Sequence, residues 1–106
     1  MASEKEKELQ YIVNAVKTSL KTGDGCQICA TNCDYADIMS ILLANGWKQT
    51  GMKYPKKRKA REVLAQYEKE GILNYEIFYN VENPKQLVIL GENSVKKIIS
   101  IMPKSK

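Results

Sequence analysis

The sequence predicts an α+β fold in one domain, and three observations point to it. The chain has 106 residues, which suits a single domain and is too short for two. Hydrophobic residues make up 43% and charged residues 27%, as in an ordinary globular protein with a packed core. Apolar residues recur every three or four positions in several segments, but every second position within 73–81. We therefore expect one domain over residues 1–106 that contains helices and a β-hairpin.

The first half of the chain is predicted to form two helices with a short strand between them. The first helix spans about 3–21, a strand is expected over 26–30, and a second helix follows and ends at Asn45-Gly46. The apolar stripe of the first helix consists of Leu9, Ile12, Val13, Val16 and Leu20. The candidate N-caps of the second helix are Thr31, Asn32 and Asp34. Its inward positions are Tyr35, Ile38, Met39, Leu42 and Leu43.

A third helix is predicted after a connection that covers residues 47–54. Pro55 suits the first turn of this helix, which runs to about Glu70 with Gly71 at its C-terminal end. Its inward positions are Ala60, Val63, Leu64 and Tyr67.

The last part of the chain is predicted to form a β-hairpin and a helix. The alternating segment 73–81, the turn residues 82–85 and the apolar segment 86–90 make the hairpin. Gly91 is expected to close the sheet, and a last helix begins near Asn93 and ends at Pro103. The inward positions of this helix are Val95, Ile98, Ile99 and Met102.

The charge balance favours a polyanionic partner. Seventeen Lys and Arg against 12 Asp and Glu give a net charge of +5. The absence of His removes the commonest general base and zinc ligand, and neither a Gly-rich phosphate loop nor a nucleophile elbow is present. We therefore expect no catalysis and no cofactor. No apolar run approaches a membrane span and the start of the chain carries no export signal, so we expect a cytoplasmic protein without a membrane partner.

Basic residues concentrate before and at the start of the predicted third helix. They are Lys53, Lys56, Lys57, Arg58, Lys59 and Arg61. A helix N-terminus opposes each cation by roughly 0.3–1 kcal/mol, and the far end carries Glu68 and Glu70, also against the helix dipole. Helix stability does not explain this arrangement, whereas a polyanion bound at this end would. The alternatives that stay open are a solvated lysine-rich face and, from the letters PKKRK, a nuclear-import signal.

The candidate nucleic-acid contacts divide by side-chain chemistry. Arg58 and Arg61 are the only arginines, and we expect specific contacts from them because a guanidinium forks onto a guanine edge or a phosphate. Backbone phosphate contacts are expected from Lys53, Lys56, Lys57 and Lys59. Stacking of unpaired bases on Tyr75, Phe78 and Tyr79 is an alternative to packing of these side chains in the core.

Three cysteines form a C-x₂-C-x₃-C motif at Cys26, Cys29 and Cys33. A zinc or iron–sulfur site normally takes four protein ligands, and the chain has no other Cys and no His, so we expect no metal. Asp24, Asp34 or a second chain could complete a zinc sphere, and a redox-sensing pair is a further alternative. A reduced intracellular trio, partly packed under the first two helices, is the interpretation that we favour.

Three segments together resemble the winged helix-turn-helix superfamily. The letters REVLAQYEKEGIL, NYEIFYNVENPKQLVIL and GENSVKKIISIM resemble the recognition helix, wing and closing helix of small bacterial, archaeal or viral regulators of the MarR and PadR kind. The resemblance covers about residues 9–102. It implies a three-helix core followed by a β-hairpin wing and a C-terminal helix, and a homodimer that binds double-stranded DNA. It further implies that the wing tip, residues 82–85, contacts the DNA, with Lys85 as its basic residue. It also implies that the first helix can pair between subunits.

Two functions follow from these patterns. The expected one is a nucleoid-associated DNA-binding protein that regulates transcription or replication, with the third helix in the major groove and the hairpin against the backbone. Neutralising about six phosphates would then give a log–log salt slope near −5. The alternative is a winged-helix module that binds a protein partner through Trp47 and the hairpin and does not contact nucleic acid.

Overall fold

The computed structural model describes residues 3–103, so residues 1–2 and 104–106 of the predicted domain lie outside the described residues. This part of the chain contains the elements α1 Glu4–Thr22, β1 Cys26–Ala30, α2 Tyr35–Ala44, β2 Trp47–Gln49, α3 Arg58–Lys69, β3 Asn74–Asn80, β4 Leu87–Glu92 and β5 Lys97–Ile101. The predicted α+β class is confirmed. Of the helices described, none has the length and apolar character needed to cross a membrane.

The five strands form one antiparallel sheet in the order β1-β5-β4-β3-β2. The predicted hairpin is present as β3 and β4, in a register that pairs Ile77 with Ile89. β5 lies between β1 and β4 and pairs Ile99 with Ile28 on one side and with Leu90 on the other. β4 and β5 are interior strands, and their continuous apolar runs fit burial on both faces.

Helices cover both faces of this sheet. α1 and α2 pack on one face, over a core that includes Ile12, Ile38, Trp47, Phe78 and Leu90. α3 packs on the opposite face, over a second core that includes Tyr67, Ile77, Ile89 and Ile98. Because successive residues of a strand point to opposite faces, each interior strand supplies both cores. The domain therefore has three layers with the sheet in the middle.

Local signals set the ends of α1 where the sequence predicts them. The Ser3 hydroxyl accepts a hydrogen bond from the Glu6 amide at 3.1 Å. Gly23 ends the helix with a φ of 80°, and its amide donates to the Ser19 carbonyl oxygen at 2.8 Å. Ile12 and Val16 of the α1 stripe are fully buried in the core of the same chain, and Leu9 and Leu20 pack against this core partly buried. The pairing of α1 between subunits, which the resemblance implied, stays a prediction.

The predicted last helix is wrong, because this segment forms β5. Ile98 and Ile99 face the two different cores, and a strand buried on both faces imitates the helical spacing of apolar residues. Asn93 begins a turn instead of a helix, and its side chain accepts hydrogen bonds from the amides of Val95 and Lys96 at 2.8 and 2.9 Å.

Two further elements differ from the prediction. The connection 47–54 contains the short strand β2, which pairs Trp47 with Asn80 of β3. Gly91 lies inside β4 and does not close the sheet. A Cβ at Gly91 would come within 2.8 Å of the Tyr67 ring, so the missing side chain allows the end of α3 to pack closely on the sheet.

The arrangement differs from the winged helix that the resemblance implied. A winged helix places three helices in one core, whereas α3 lies on the sheet face opposite α1 and α2. No helix follows β4 within residues 3–103, and the hairpin forms the middle of the sheet. Strand β5 causes this difference from a winged helix. It joins β1 to the hairpin and so creates a wide sheet, and both faces of that sheet must be covered by helices.

Candidate nucleic-acid interface

α3 begins at Arg58, later than the predicted Pro55. Lys57 is the N-cap residue, with φ −70° and ψ 133°, and its side chain makes no capping hydrogen bond. A lysine side chain has no acceptor for the amide groups of a first turn, so the start of α3 has no side-chain cap. The cations of the predicted cluster that lie within the helix are Arg58, Lys59 and Arg61.

Apolar residues fix the rotation of α3 about its axis. Ala60 and Tyr67 are fully buried against the sheet. The Tyr67 hydroxyl donates to the Ile89 carbonyl oxygen at 2.9 Å and lies 2.6 Å from the Ser100 hydroxyl. These contacts leave the other face of the helix in solvent, and the exposed residues of its first turns include Arg58, Lys59 and Arg61.

The hairpin turn contributes to the same surface. The Lys57 ammonium group donates to the carbonyl oxygen of Lys85, across 28 positions of sequence. Burial and the nearby charge of Lys85 lower the pKa of Lys57. We use the name basic surface for Lys56, Lys57, Arg58, Lys59, Arg61 and Lys85. An anion bound there would offset the repulsion between the two lysines.

The cations differ in their neighbours. Arg58 Nε lies 3.3 Å from Glu62 Oε1, in an exposed pair one helical turn apart. Lys53 contacts an aromatic ring: its ammonium group is 5.6 Å from the ring centroid of Tyr75, whose hydroxyl donates to the Lys53 carbonyl oxygen at 2.9 Å. For the part of the chain from 3 to 103, no carboxylate forms an ion pair with Lys56, Lys59 or Arg61.

A cleft beside the basic surface was not predicted from the sequence. It has a volume of about 300 Å³, and its α3 wall consists of Arg61, Leu64, Ala65 and Glu68. Tyr54 and Leu73 line it from the segments before and after α3 and are 84% and 80% exposed. No local pattern reveals this site, because the two segments meet only once α3 has docked on the sheet.

The stacking surface considered for the hairpin aromatics is not formed. Phe78 is fully buried in the core under α1 and α2, whereas Tyr75 and Tyr79 pack on the α3 side of the sheet. Neighbouring residues of a strand point to opposite faces, which separates them. Tyr75 nevertheless lines the cleft.

The three cysteines do not come together. Cys26 and Cys29 are exposed on β1, and Cys26 Sγ lies 3.8 Å from the Ser19 hydroxyl. Cys33 is buried; burial and the neighbouring Glu8 raise the pKa of its thiol to about 12, so it stays protonated. Among residues 3–103, no three His, Cys, Asp or Glu side chains are placed to hold a metal ion.

Trp47, the contact residue of the protein-interaction alternative, is fully buried between the sheet and its helices. It therefore offers no exposed surface to a partner.

Comparisons of the chain with family models, with curated proteins and with solved structures find no match. The functional interpretation therefore depends on the geometry and charge of the chain's own residues.

Proposed function

We propose that this protein binds double-stranded DNA through the basic surface and thereby regulates transcription or replication, without catalysis. The observation that carries the proposal is the convergence of two distant segments: the start of α3 and the hairpin turn meet where Lys57 contacts Lys85. The first turn of α3 adds no acidic residue to this place. The positive charge around the start of α3 is thus held at the expense of local stability.

Phosphate groups complement each feature of this surface. The amide groups of the first helical turn point toward the helix end and lack acceptors within the helix. The side chains around that end are cations, and each lysine or arginine that neutralises a phosphate releases a counterion from DNA. Arg58 and Arg61 can in addition fork onto a guanine edge in the major groove.

The proposal does not require a winged-helix core. α3 lies on the outside of the three-layer domain with its charged face exposed, and an α-helix fits the width of the major groove. The hairpin turn beside it would contact the DNA backbone through Lys85. A homodimer and an intracellular, nucleoid-associated location belong to the same proposal.

The first experiment is a fluorescence-anisotropy titration of labelled duplex DNA at several salt concentrations. The expected result is a log–log slope of affinity against salt near −5, because about six phosphates are neutralised. Binding without salt dependence, or no binding even at low salt, would contradict the proposal. The stoichiometry at saturation tests the homodimer.

Matched charge variants show whether the basic surface is responsible. The test variant changes Arg58, Lys59 and Arg61 to Gln, and the control changes Lys7, Lys17 and Lys21 of α1 to Gln, so both variants carry the same net charge. The test variant is expected to lose on the order of 100-fold in affinity and about three units of salt slope. The control should lose much less, because α1 covers the opposite face of the sheet. Equal losses would show that only net charge matters and would overturn the assignment to this surface.

A further inference from the structure

We infer that the cleft between α3 and Tyr54 binds one unstacked base of the nucleic acid, so that the preferred partner is a duplex with a single-stranded extension. The inference rests on the proposed function, because the basic surface must first bring the nucleic acid to the cleft. Arg61 connects the two sites: it belongs to the basic surface and also lines the cleft.

The size of the cleft fits a single ring system. Its volume of about 300 Å³ lies at the lower end of the range of ligand sites, roughly 300–1,000 Å³. Its α3 wall spans two helical turns, since Arg61 and Glu68 are separated by about 10 Å of helix at 1.5 Å per residue. A folded partner domain would need a much larger surface.

The lining of the cleft is suited to the flat, apolar face of a base. Leu64 and Ala65 form the middle of the α3 wall, and Tyr75 is held in place by its hydrogen bond to the Lys53 carbonyl oxygen at 2.9 Å. Tyr54 and Leu73 remain 84% and 80% exposed at the sides. An exposed aromatic ring beside cations is the arrangement on which single-stranded nucleic acids stack their bases.

The charges around the cleft select a nucleotide over other small ligands. Arg61 lines the cleft, and the Lys53 ammonium group lies 5.6 Å from the Tyr75 ring centroid, so cations border the apolar lining. Glu68 lies at the other end of the α3 wall and repels a free phosphate, but its carboxylate accepts N–H groups from the edge of a base. An apolar face, a cation for the phosphate and an acceptor for the base edge together complement one nucleotide.

The test compares three labelled DNA probes on the intact protein. The first is a blunt duplex, the second carries a short single-stranded extension, and the third carries the same extension with abasic nucleotides. The third probe keeps the phosphates and removes the bases. The extension with bases is expected to raise affinity about tenfold over the blunt duplex, because a stacked base contributes about that factor. The abasic extension should give much less.

Variants locate the effect in the cleft. Tyr54→Ala removes an exposed ring and Ala65→Phe fills the cleft from the exposed face of α3, so neither removes a buried side chain. Both should abolish the preference for the extension and leave affinity for the blunt duplex unchanged. Tyr11→Ala is the matched control, because Tyr11 is a 64% exposed tyrosine on α1, and it should keep the preference.

The outcomes separate the inference from the proposed function. Salt-dependent binding of all three probes with equal affinity would leave the proposed function standing and overturn the inference. A preference for the extension that survives Tyr54→Ala and Ala65→Phe would also overturn it. Binding of the extended probe alone would support the cleft and overturn duplex binding. Failure to bind any probe would overturn both.

Discussion

α1 and α3 are amphipathic helices of the same small domain, but their N-terminal ends are built in opposite ways. Ser3 caps α1, Glu4 and Glu6 lie in its first turn and Lys21 lies in its last, all in agreement with the helix dipole. α3 begins at Arg58, its N-cap residue Lys57 makes no side-chain capping hydrogen bond, and its first turn contains no acidic residue. The difference indicates that α1 is stabilised at its start by its own residues, whereas α3 lacks this local support and depends on packing.

The largest effect on the free energy of unfolding is expected from substitutions of Tyr67, which anchors α3 to the sheet. Tyr67→Ala should lower the free energy of unfolding by about 3–5 kcal/mol, because it removes a fully buried ring and the hydrogen bond to Ile89. Tyr67→Phe should cost about 1–2 kcal/mol, since it removes only the hydroxyl group. Urea unfolding measures both values.

Tyr11 of α1 provides the control for this comparison. It is 64% exposed, and Tyr11→Ala should change stability by less than about 0.5 kcal/mol. If Tyr67→Ala cost no more than Tyr11→Ala, α3 would not depend on its packing and the contrast between the helices would be wrong.

Replacing Glu8 of α1 is expected to have a middle-sized effect on the free energy of unfolding, because this residue connects the helix to the segment after β1. Its carboxylate accepts hydrogen bonds from the amides of Asn32 at 2.9 Å and Cys33 at 3.0 Å. Glu8→Gln should cost about 1 kcal/mol at neutral pH, a value kept low because the carboxylate is partly exposed.

The same carboxylate gives α1 a pH dependence. Burial acts to raise the pKa of Glu8, but hydrogen bonds from Cys33, Asn32 and Thr31 outweigh it, and the pKa is lowered from its ordinary 4.5. A group with a lowered folded pKa contributes stability that is fully present above its unfolded pKa and is lost as pH falls through the folded value. The stability difference between the parent and Glu8→Gln should therefore shrink below about pH 4.5. A difference that stays constant down to strongly acidic pH would contradict this account.

The contrast also explains which parts of the fold the sequence could predict. The ends of α1 and the bounds of β1 follow from neighbouring residues, such as Ser3 before the helix and Gly23 after it. β5 could not be predicted in this way, because Ile98 and Ile99 are apolar for different reasons: each faces a different core. A periodicity argument assumes one buried face, and a strand covered on both sides violates that assumption.

The candidate site likewise has one part that the sequence could predict and one part that it could not. The cations from Lys56 to Arg61 lie close together in the chain, so the sequence alone predicted them as a cluster, and Lys85 was added as the wing tip that the resemblance implied. The cleft could not be predicted, because Tyr54 and Leu73 come from opposite ends of α3 and meet only in the folded chain. The contact between Lys57 and Lys85 is likewise a product of the fold.

The smallest effects test the comparison most directly, because they compare the two helix ends themselves. Ser3→Ala should lower the free energy of unfolding by about 1 kcal/mol, since it removes the cap of α1. Lys59→Gln should leave the free energy of unfolding unchanged or raise it by about 0.3 kcal/mol, because a cation in a first turn opposes the helix dipole. Lys17→Gln, an exposed change in the middle of α1, is the control and should have no effect. A clear loss of stability in Lys59→Gln, measured by urea unfolding, would mean that the cations of α3 hold the fold together, and the argument that they are kept for binding would lose its physical basis.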